Sequence, residues 1–511
     1  MDIYEVNSKD LKIIAKGGGI GLLGRFLQMS LIVVFQLILA RGLGKANIGV
    51  LGLGLSVITL AATVVVFGMH RGVVRFVGHY SGIGDKARTA GAIKAALRIS
   101  LISALVITPL VFISAEFLAD RLFNNPDLVP VLRILALSIP FLGLMNILVS
   151  VMQGFKRVDY KLFIEQFFVP LLKIVGAIIA IYILGSGLIG VTYAILISLV
   201  VGVVLSIFIV WRLYPLRGVS EEKPILNIRS FLRFSWPLTL MTMITRINAE
   251  SEILVLGALT TSDQVGLYYV GFKAAVLILV FLQAFNIIFA PIIAEVYAKG
   301  EQKQLATLYR TITRWAITLS LPFFLILFLF SEDVMAVFGS EFLDGANVLR
   351  VLAVSQLIFI MTGPSGLILT MTGYPRLNLM NAILTIIITL ALDFWLIPKI
   401  GALGAAIAGA ISILVVNLLR LIEVYIVLHI QPYDRAVFKP IIAGSVAGMS
   451  LIGAGFLLPA LSGVFQLIFL GGILVLVYLL ILLLLGFEDN DNVIFLAFKR
   501  RLVSLSLLPK K

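Results

Sequence analysis

The sequence predicts an all-α integral membrane protein with about fourteen transmembrane helices. Of its 511 residues, 60% are hydrophobic and only 13% are charged, whereas soluble domains carry about 25% charged residues. The apolar residues fall in runs of roughly 20, the length that an α-helix needs to cross the hydrocarbon core of a bilayer. Composition and run length together exclude a soluble enzyme or a soluble binding module.

Fourteen apolar runs separated by polar breaks mark the predicted helices. They lie near residues 17–40, 47–68, 90–113, 129–152, 162–184, 188–211, 231–257, 264–293, 311–330, 346–372, 377–397, 402–428, 436–457 and 464–485. Two of the longer runs contain helix breakers, Pro291 in one and Gly363-Pro364-Ser365-Gly366 in the other. We therefore expect kinks or unwound turns in these two helices.

Basic residues are concentrated in alternate loops. Counted from the N-terminus, one set of loops holds 27 Lys and Arg residues, and the intervening loops hold four. By the positive-inside rule the richer set is cytoplasmic, which predicts a multi-pass protein of the cell membrane with both termini in the cytoplasm. The net charge of +14 then reflects topology and attraction to anionic membrane lipids, so no nucleic-acid partner is predicted.

The two halves of the chain contain an internal repeat. The segment Val131–Ser138 (VLRILALS) recurs as Val348–Ser355 (VLRVLAVS), an offset of 217 residues. The same offset relates Gly49 to Gly266. The repeat indicates that six helices were duplicated, and an even number gives both copies the same orientation. We therefore expect two six-helix lobes related by a pseudo-twofold axis along the membrane normal, with the substrate path between them.

The repeat divides the chain into four predicted regions. They are an N-terminal six-helix lobe (1–211), a cytoplasmic linker (212–230), a C-terminal six-helix lobe (231–430), and two additional helices with a cytoplasmic tail (431–511).

The residues of most catalytic and cofactor sites are missing from the sequence. It contains no cysteine and three histidines, which excludes disulfides and thiolate catalysis and makes a Cys- or His-ligated metal site improbable. A Gly19-x-Gly21-x-x-Gly24 pattern lies inside an apolar run rather than between a strand and a helix, so it predicts close helix packing instead of dinucleotide binding. We predict no cofactor, no metal and no catalytic residue.

Charged and polar residues inside the helices are the best candidates for function. A charge at the bilayer centre costs about 2.5–3.5 kcal/mol even on the most lenient scale, so such residues are expected to line a cavity. The predicted substrate-binding residues are Arg25, Gln28, Gln36, Lys173, Arg246 and Lys273. Cations in both lobes favour an anionic ligand, because guanidinium and ammonium groups bind phosphate by charge-assisted hydrogen bonds.

Three acidic residues also lie within the predicted helices. Glu250 follows Arg246 by one helical turn, a spacing that allows the two to form an ion pair. Glu252 points to another side of the same helix, and Asp393 lies toward the outer end of its helix. The predicted role of these acids is ion coupling or charge balance.

Three segments carry a resemblance to a known family: Gly42–Gly49 (GLGKANIG), Ala290–Glu301 (APIIAEVYAKGE) and Ile397–Ala408 (IPKIGALGAAIA). With them the chain resembles the multidrug/oligosaccharidyl-lipid/polysaccharide exporter superfamily, specifically its Wzx-like polysaccharide or oligosaccharide flippases, over essentially its whole length. The resemblance implies twelve core helices in two lobes, two added C-terminal helices, and transfer of a polyprenyl-linked oligosaccharide across the membrane by alternating access.

The resemblance also implies site residues and partners. Members of the family commonly carry cavity cations, and Arg25, Arg246 and Lys273 lie in the matching helices. The implied partners are a lipid-linked oligosaccharide, membrane lipids and polysaccharide-assembly proteins. The chain departs from drug-exporting relatives in having no acidic residue within its first helix, so their coupling scheme is not carried over.

Two alternative functions stay open at this point. An ion-coupled multidrug exporter of the same superfamily would be expected to have an acidic, aromatic pocket rather than several deep Lys and Arg residues. A membrane glycosyltransferase or ligase would need larger outer loops with paired acids, whereas the acidic outer loop 331–345 is short.

Overall fold

The computed structural model describes residues 8–214, 228–455 and 464–486. Most of the predicted linker 212–230, the first seven residues and the tail after residue 486 lie outside the described residues. Within the described ranges the regular structure is helical, without β-strands.

Eighteen α-helices follow one another in these ranges. They are α1 (Ser8–Val66), α2 (Met69–Gly82), α3 (Lys86–Phe117), α4 (Leu128–Ala136), α5 (Ile139–Gly154), α6 (Val158–Leu162), α7 (Val169–Ile178), α8 (Gly187–Leu213), α9 (Ile228–Leu259), α10 (Ser262–Ala275), α11 (Val280–Ala298), α12 (Gln302–Leu329), α13 (Ser331–Phe338), α14 (Ala346–Met361), α15 (Ser365–Met371), α16 (Pro375–Leu428), α17 (Phe438–Gly455) and α18 (Val464–Leu485). Short π or 3₁₀ segments extend or join several of them, such as Val276–Leu279 between α10 and α11.

Many of these helices have the length and composition of membrane spans. In the part of the chain that is described, nine helical segments are long and apolar enough to cross a bilayer, or ten if the bent pair α4 and α5 forms one span. Apolar side chains on their outer faces are exposed, such as Leu105 (72%) and Ile113 (76%) on α3, as expected where lipid replaces water as the solvent. This confirms the predicted class, an all-helical membrane protein with many spans.

The two longest apolar segments contain sharp breaks. Leu27–Gly82 has 56 residues and Pro375–Leu428 has 54, each more than twice the roughly 20 needed for one crossing. The backbone of the first is non-helical at Gly44, with φ 80° and ψ 167°, and that of the second at Gly401, with φ 57° and ψ −134°. Glycine adopts these positive φ angles without steric cost. Both breaks fall between helices that the sequence predicts as separate spans.

The helix predicted over 346–372 is interrupted at its breaker motif. Here α14 ends at Met361 and α15 begins at Ser365, and Gly363 between them has φ 60°. The run with Pro291 behaves differently, because α11 continues through that proline. Its interruption is the 3₁₀ segment Val276–Leu279, about three turns before the proline.

The chain forms two compact units. Unit 1 comprises Met1–Phe26, Gly271–Thr385 and Gly409–Lys511, and unit 2 comprises Leu27–Val270 and Ile386–Ala408.

A hydrophobic cluster forms part of the core of unit 1. It joins α11, α12, α15 and α16 through buried side chains that include Ile293, Leu305, Ile368 and Leu428. Tyr309 belongs to the same cluster, and its hydroxyl donates to the carbonyl oxygen of Thr362 at 3.0 Å. The phenol therefore satisfies a backbone group that the interruption after α14 leaves without a helical partner.

Unit 2 is packed through small residues. A Cβ at Gly143 of α5 would lie 2.7 Å from Val65 and 2.9 Å from the Ser100 hydroxyl, and one at Gly202 of α8 would lie 2.7 Å from Val169. Glycine at these positions lets neighbouring helices approach closely, which is the usual basis of helix association in membranes.

Positions related by the 217-residue offset make matching contacts. A Cβ at Gly54 would meet Val131 and Leu135, both at 3.0 Å. A Cβ at Gly271 would meet Val348 and Leu352, both at 3.7 Å. These residues follow Val131 and Leu135 by 217 positions. The repeated sequence motif therefore forms the same helix contact twice.

The two arginines of the repeated motif each form an ion pair. Arg133 binds Glu116 at 2.6 Å, and Arg350, which lies 217 positions later, binds Glu332 at 3.0 Å. These bridges are largely exposed, so each adds little stability, but their correspondence explains why the repeat retains an arginine among apolar residues.

One contact relates the two copies of the repeat to each other. A Cβ at Gly49 would overlap the carbonyl oxygen of Ser262, and a Cβ at Gly266 would overlap the carbonyl oxygen of Lys45. Ser262 follows Lys45 by 217 positions, and Gly266 follows Gly49 by the same offset. The contact is therefore reciprocal.

We expect Gly49→Ala to destabilise the protein by about 1–3 kcal/mol, the usual cost of overpacking, because the added methyl group overlaps backbone. The measurement is the melting temperature of the purified protein in detergent. Gly472→Ala on α18 is the matched control, since its Cβ would meet no described atom within 4 Å, and it should leave the melting temperature unchanged or raised. Equal melting temperatures for all three proteins would show that the close approach at Gly49 is not required.

Candidate functional site

The predicted cation of the first helix has a partner on α11. Arg25 donates a hydrogen bond from its guanidinium to the side-chain carbonyl oxygen of Gln283, and both side chains are partly buried in unit 1. An amide is uncharged, so this bond orients the guanidinium without cancelling its charge. Gln283 was not predicted from the sequence, although a glutamine within an apolar run is the same kind of signal as Gln36.

The two lysine candidates are half buried. Lys273 of α10 has its ammonium 6.0 Å from the centre of the Phe272 ring, at the outer limit of a cation–π contact. Lys173 of α7 makes no hydrogen bond or ion pair among the described residues. Both lie in helical segments that are apolar enough to span a membrane.

The polar stripe of α1 is only partly accessible. Gln28 is half buried, whereas Gln36 is 4% exposed and its Oε1 has no hydrogen-bond partner among the described residues. A buried amide oxygen without a partner costs about 1–3 kcal/mol. Such a group is a place where water or a ligand is expected.

The residues predicted on α9 are arranged differently from the expected ion pair. Arg246 has an exposed side chain, and Glu250 accepts a hydrogen bond from the Ser56 hydroxyl at 2.7 Å. The ion pairs of the described residues do not include one between Arg246 and Glu250. Helical spacing allowed that pair, but spacing alone could not show that a serine from α1 lies within reach.

A buried acidic cluster forms in unit 2. The Tyr268 hydroxyl donates to the Glu252 carboxylate, and Tyr268 is 1% exposed. Asp393 of α16 is fully buried, and neither of its carboxylate oxygens has a hydrogen-bond partner among the described residues. The charge of Glu252 acts on Asp393. The structure therefore brings together two predicted acids and adds a tyrosine that the sequence did not single out.

The cluster is expected to hold a positive charge. Two carboxylates that interact across a low-dielectric interior cannot both stay ionised without compensation. Either one of them carries a proton, or a cation lies between them. The described residues contain no group of three or more His, Cys, Asp or Glu side chains arranged to hold a metal ion.

A family comparison agrees with these features. Residues 38–347 match the family described as "Polysaccharide biosynthesis protein". This range includes three of the six predicted substrate-binding residues, Lys173, Arg246 and Lys273, and two of the three acids.

Two relatives with assigned names are similar in sequence. The "Probable low-salt glycan biosynthesis flippase Agl15" of Haloferax volcanii is 25% identical over 283 residues, which are 53% of this chain and 59% of that protein. The chain therefore spans less than two thirds of this relative. "Stage V sporulation protein B" of Bacillus subtilis is 23% identical over 425 residues, which are 78% of this chain and 81% of that protein.

Solved structures show the same fold. The lipid II flippase MurJ in an inward closed conformation matches with a TM-score of 0.70 and 14% identity, covering 90% of this chain and 96% of that one. A multidrug resistance MATE transporter in an inward-facing conformation matches with a TM-score of 0.65 and 18% identity, covering 80% and 98%. At these identities the likeness concerns the fold alone.

Proposed function

The chain belongs to the polysaccharide biosynthesis protein family, which is a family of transporters and not of enzymes, and from this premise we propose that it is a flippase for lipid-linked oligosaccharides. Its substrate is an oligosaccharide attached to a polyprenyl phosphate or pyrophosphate. The protein moves the polar headgroup from the cytoplasmic to the outer leaflet by alternating access. The lipid tail remains in the bilayer, and no covalent bond changes.

The observation that carries this proposal is the set of cations embedded in the helices. Arg25 is held in unit 1 by a neutral amide, and Lys173 and Lys273 are half buried in apolar segments. Arg246 presents an exposed guanidinium on α9. An anionic headgroup cannot enter hydrocarbon without compensation, and charge-assisted hydrogen bonds from these groups would provide it. Gln28 and Gln36 add uncharged groups that suit sugar hydroxyls.

The finer architecture is part of the proposal. We infer fourteen spans, two six-helix lobes related by a pseudo-twofold axis, and two further helices at the C-terminus. The breaks at Gly44 and Gly401 support this count, because each divides a segment long enough for two crossings. The reciprocal contact of Gly49 and Gly266 with the opposite backbone supports the twofold relation. The substrate path between lobes and the contribution of assembly proteins belong to this proposal as well.

Ion coupling is assigned to the acidic cluster. Glu252 and Asp393 interact, and the second has no described hydrogen-bond donor. Such a pair takes up a proton or a cation more readily than a solvated acid does. Glu250, which accepts from Ser56, is the charge-balancing residue.

The same cluster favours a second candidate function, that of an ion-coupled multidrug exporter. A buried acidic pair beside a tyrosine is the kind of site that binds an organic cation. The two functions differ in the charge of the cargo, which a transport assay separates.

We expect charge removal in the helices to block transport. Arg25→Gln and Lys273→Gln should each lower the flipping rate of a polyprenyl-pyrophosphate-linked glycan in proteoliposomes roughly tenfold or more, because a hydrogen bond to a charged group is worth about 1.5–3 kcal/mol. The exposed Arg376, changed to Gln, is the control and should transport normally. Normal flipping by both variants, or efficient transport of organic cations instead, would refute the flippase proposal.

We also expect Asp393→Asn to uncouple transport from an ion gradient, because an amide can neither release a proton nor bind a cation by charge. Flipping rates are compared with and without an imposed proton or sodium gradient. The control is Asp263→Asn, which changes an exposed acid paired with Lys45 at 3.7 Å and should leave the gradient response intact. A full gradient response in Asp393→Asn would exclude this residue from coupling.

Reporter fusions test the topology. Fusions after residues 222 and 511 should report a cytoplasmic location, since 27 basic residues lie on that predicted side against four on the other. A fusion after residue 123, in a predicted outer loop, should report the opposite side. An external location for residue 222 or 511 would reverse the direction assigned to every loop.

A further inference from the structure

Unit 1 contains a polar cavity that includes none of the predicted site residues. Its volume is about 240 Å³, and its lining comes from α11, the interruption between α14 and α15, and α16. This space is large enough to hold water molecules or a small polar ligand. The polar side chains in its wall are Asn286, Asn378 and Arg420, together with Ser365 at the start of α15.

Arg420 is the unusual member of this wall. It is half buried within α16, and it makes no hydrogen bond or ion pair among the described residues. Its Nε is buried without a partner. The nearest acid along the helix, Glu423, instead accepts from the Asn381 side chain at 2.7 Å. A charged side chain inside a membrane-spanning helix is costly. Glu423 acts on Arg420 through its charge without a hydrogen bond or ion pair to it, so the unsatisfied Nε beside a cavity points to a ligand.

The unwound turn brings the cavity wall close to this guanidinium. A Cβ at Gly366 would lie 3.8 Å from both Cζ and Nε of Arg420. Asn378 donates from its amide to the Gly366 carbonyl at 2.6 Å and to the Thr370 hydroxyl at 2.8 Å. These bonds fix the turn beside Arg420 and determine the orientation of the Asn378 amide.

The chemistry of the wall selects an anion. None of the lining residues is acidic, so a cation would meet no compensating charge. A guanidinium offers a planar set of donors that matches the oxygens of phosphate or carboxylate. The side-chain oxygens of Asn286 and Asn378 are buried without described partners; in a wet cavity they suit a bridging water or a hydroxyl of the same ligand.

We propose that this cavity is an oxyanion site for a phosphate or pyrophosphate group, with Arg420 as its principal contact. Arg420 precedes the end of α16 at Leu428 by eight residues, about 12 Å along the helix. That end leads into a loop that the charge distribution predicts to be cytoplasmic. The group is therefore supplied from the cytoplasmic side, either as a lipid-linked headgroup or as a soluble phosphate compound.

The test measures binding of inorganic pyrophosphate to the full-length protein in lipid nanodiscs by isothermal titration calorimetry. Wild type should bind saturably, and Arg420→Gln should bind roughly tenfold more weakly or worse, as expected on losing a hydrogen bond to a charged group. Arg420→Lys keeps the charge without the planar donor set, so its affinity for pyrophosphate should lie between those of wild type and Arg420→Gln. Arg376→Gln removes an exposed arginine outside the cavity and should bind like wild type.

A second arm identifies the source of the phosphate. Polyprenyl phosphate added to the nanodiscs should compete with pyrophosphate if the natural ligand is a lipid headgroup, and should leave binding unchanged if it is soluble. Should Arg420→Gln fail to fold, Asn286→Asp decides, because it places a carboxylate in the same cavity wall without removing a described hydrogen bond, and its negative charge should weaken anion binding similarly. Saturable binding that survives both changes, or no saturable binding to wild type, would overturn the oxyanion site. Neither result affects the transport test of Arg25 and Lys273.

Discussion

The structure depends on one constraint: inside a bilayer every backbone N–H and C=O must find a partner within the protein. Regular helices meet it by themselves, so the places that need explanation are the breaks. After the break at Gly401, the N–H of Ala402 donates to the Gln264 side chain at 2.9 Å. At the interruption after α14, the carbonyl of Thr362 accepts from Tyr309 at 3.0 Å. A polar residue in one helix thus makes a break in another tolerable.

The same constraint explains why function concentrates on a few side chains. Most polar residues in the spans bond back to their own helix, as Thr242 does to the Leu238 carbonyl at 2.8 Å. The carboxylate oxygens of Asp393 and the Nε of Arg420 have no hydrogen-bond partner among the described residues. One is an acid and the other a base, and each lies in a separate unit of the chain. An unsatisfied charge is costly in this environment, which is why both residues are candidates for binding a group that would supply the missing partner.

A second requirement is that helices pack closely, because inside a bilayer no hydrophobic driving force holds them together. Glycine residues meet this requirement. Gly54 and Gly271 show this close packing: each lies against two apolar side chains, and the two pairs of side chains are themselves related by the repeat. At Gly49 and Gly266 the close neighbour is backbone: Gly49 lies against the carbonyl of Ser262, four residues before Gly266, and Gly266 lies against the carbonyl of Lys45, four residues before Gly49. Residues related by the 217-residue offset therefore make matching contacts, and the reciprocal contact joins the segments around Gly49 and Gly266.

The sequence by itself determined the class of the protein, an all-helical membrane protein with many spans, and it contains the repeat, because hydrophobic length and sequence similarity can be read without coordinates. It also indicated Arg25, Glu252 and Asp393, since a charge within an apolar run is visible without coordinates. The partners Gln283, Tyr268 and Ser56 could not be predicted, and neither could the absence of an Arg246–Glu250 pair, because contacts between distant segments depend on how helices rotate against each other. Arg420 lies within a predicted span but was not among the predicted site residues. Only the tertiary structure distinguished it, by placing a cavity and an unwound turn beside a guanidinium whose buried Nε has no hydrogen-bond partner among the described residues.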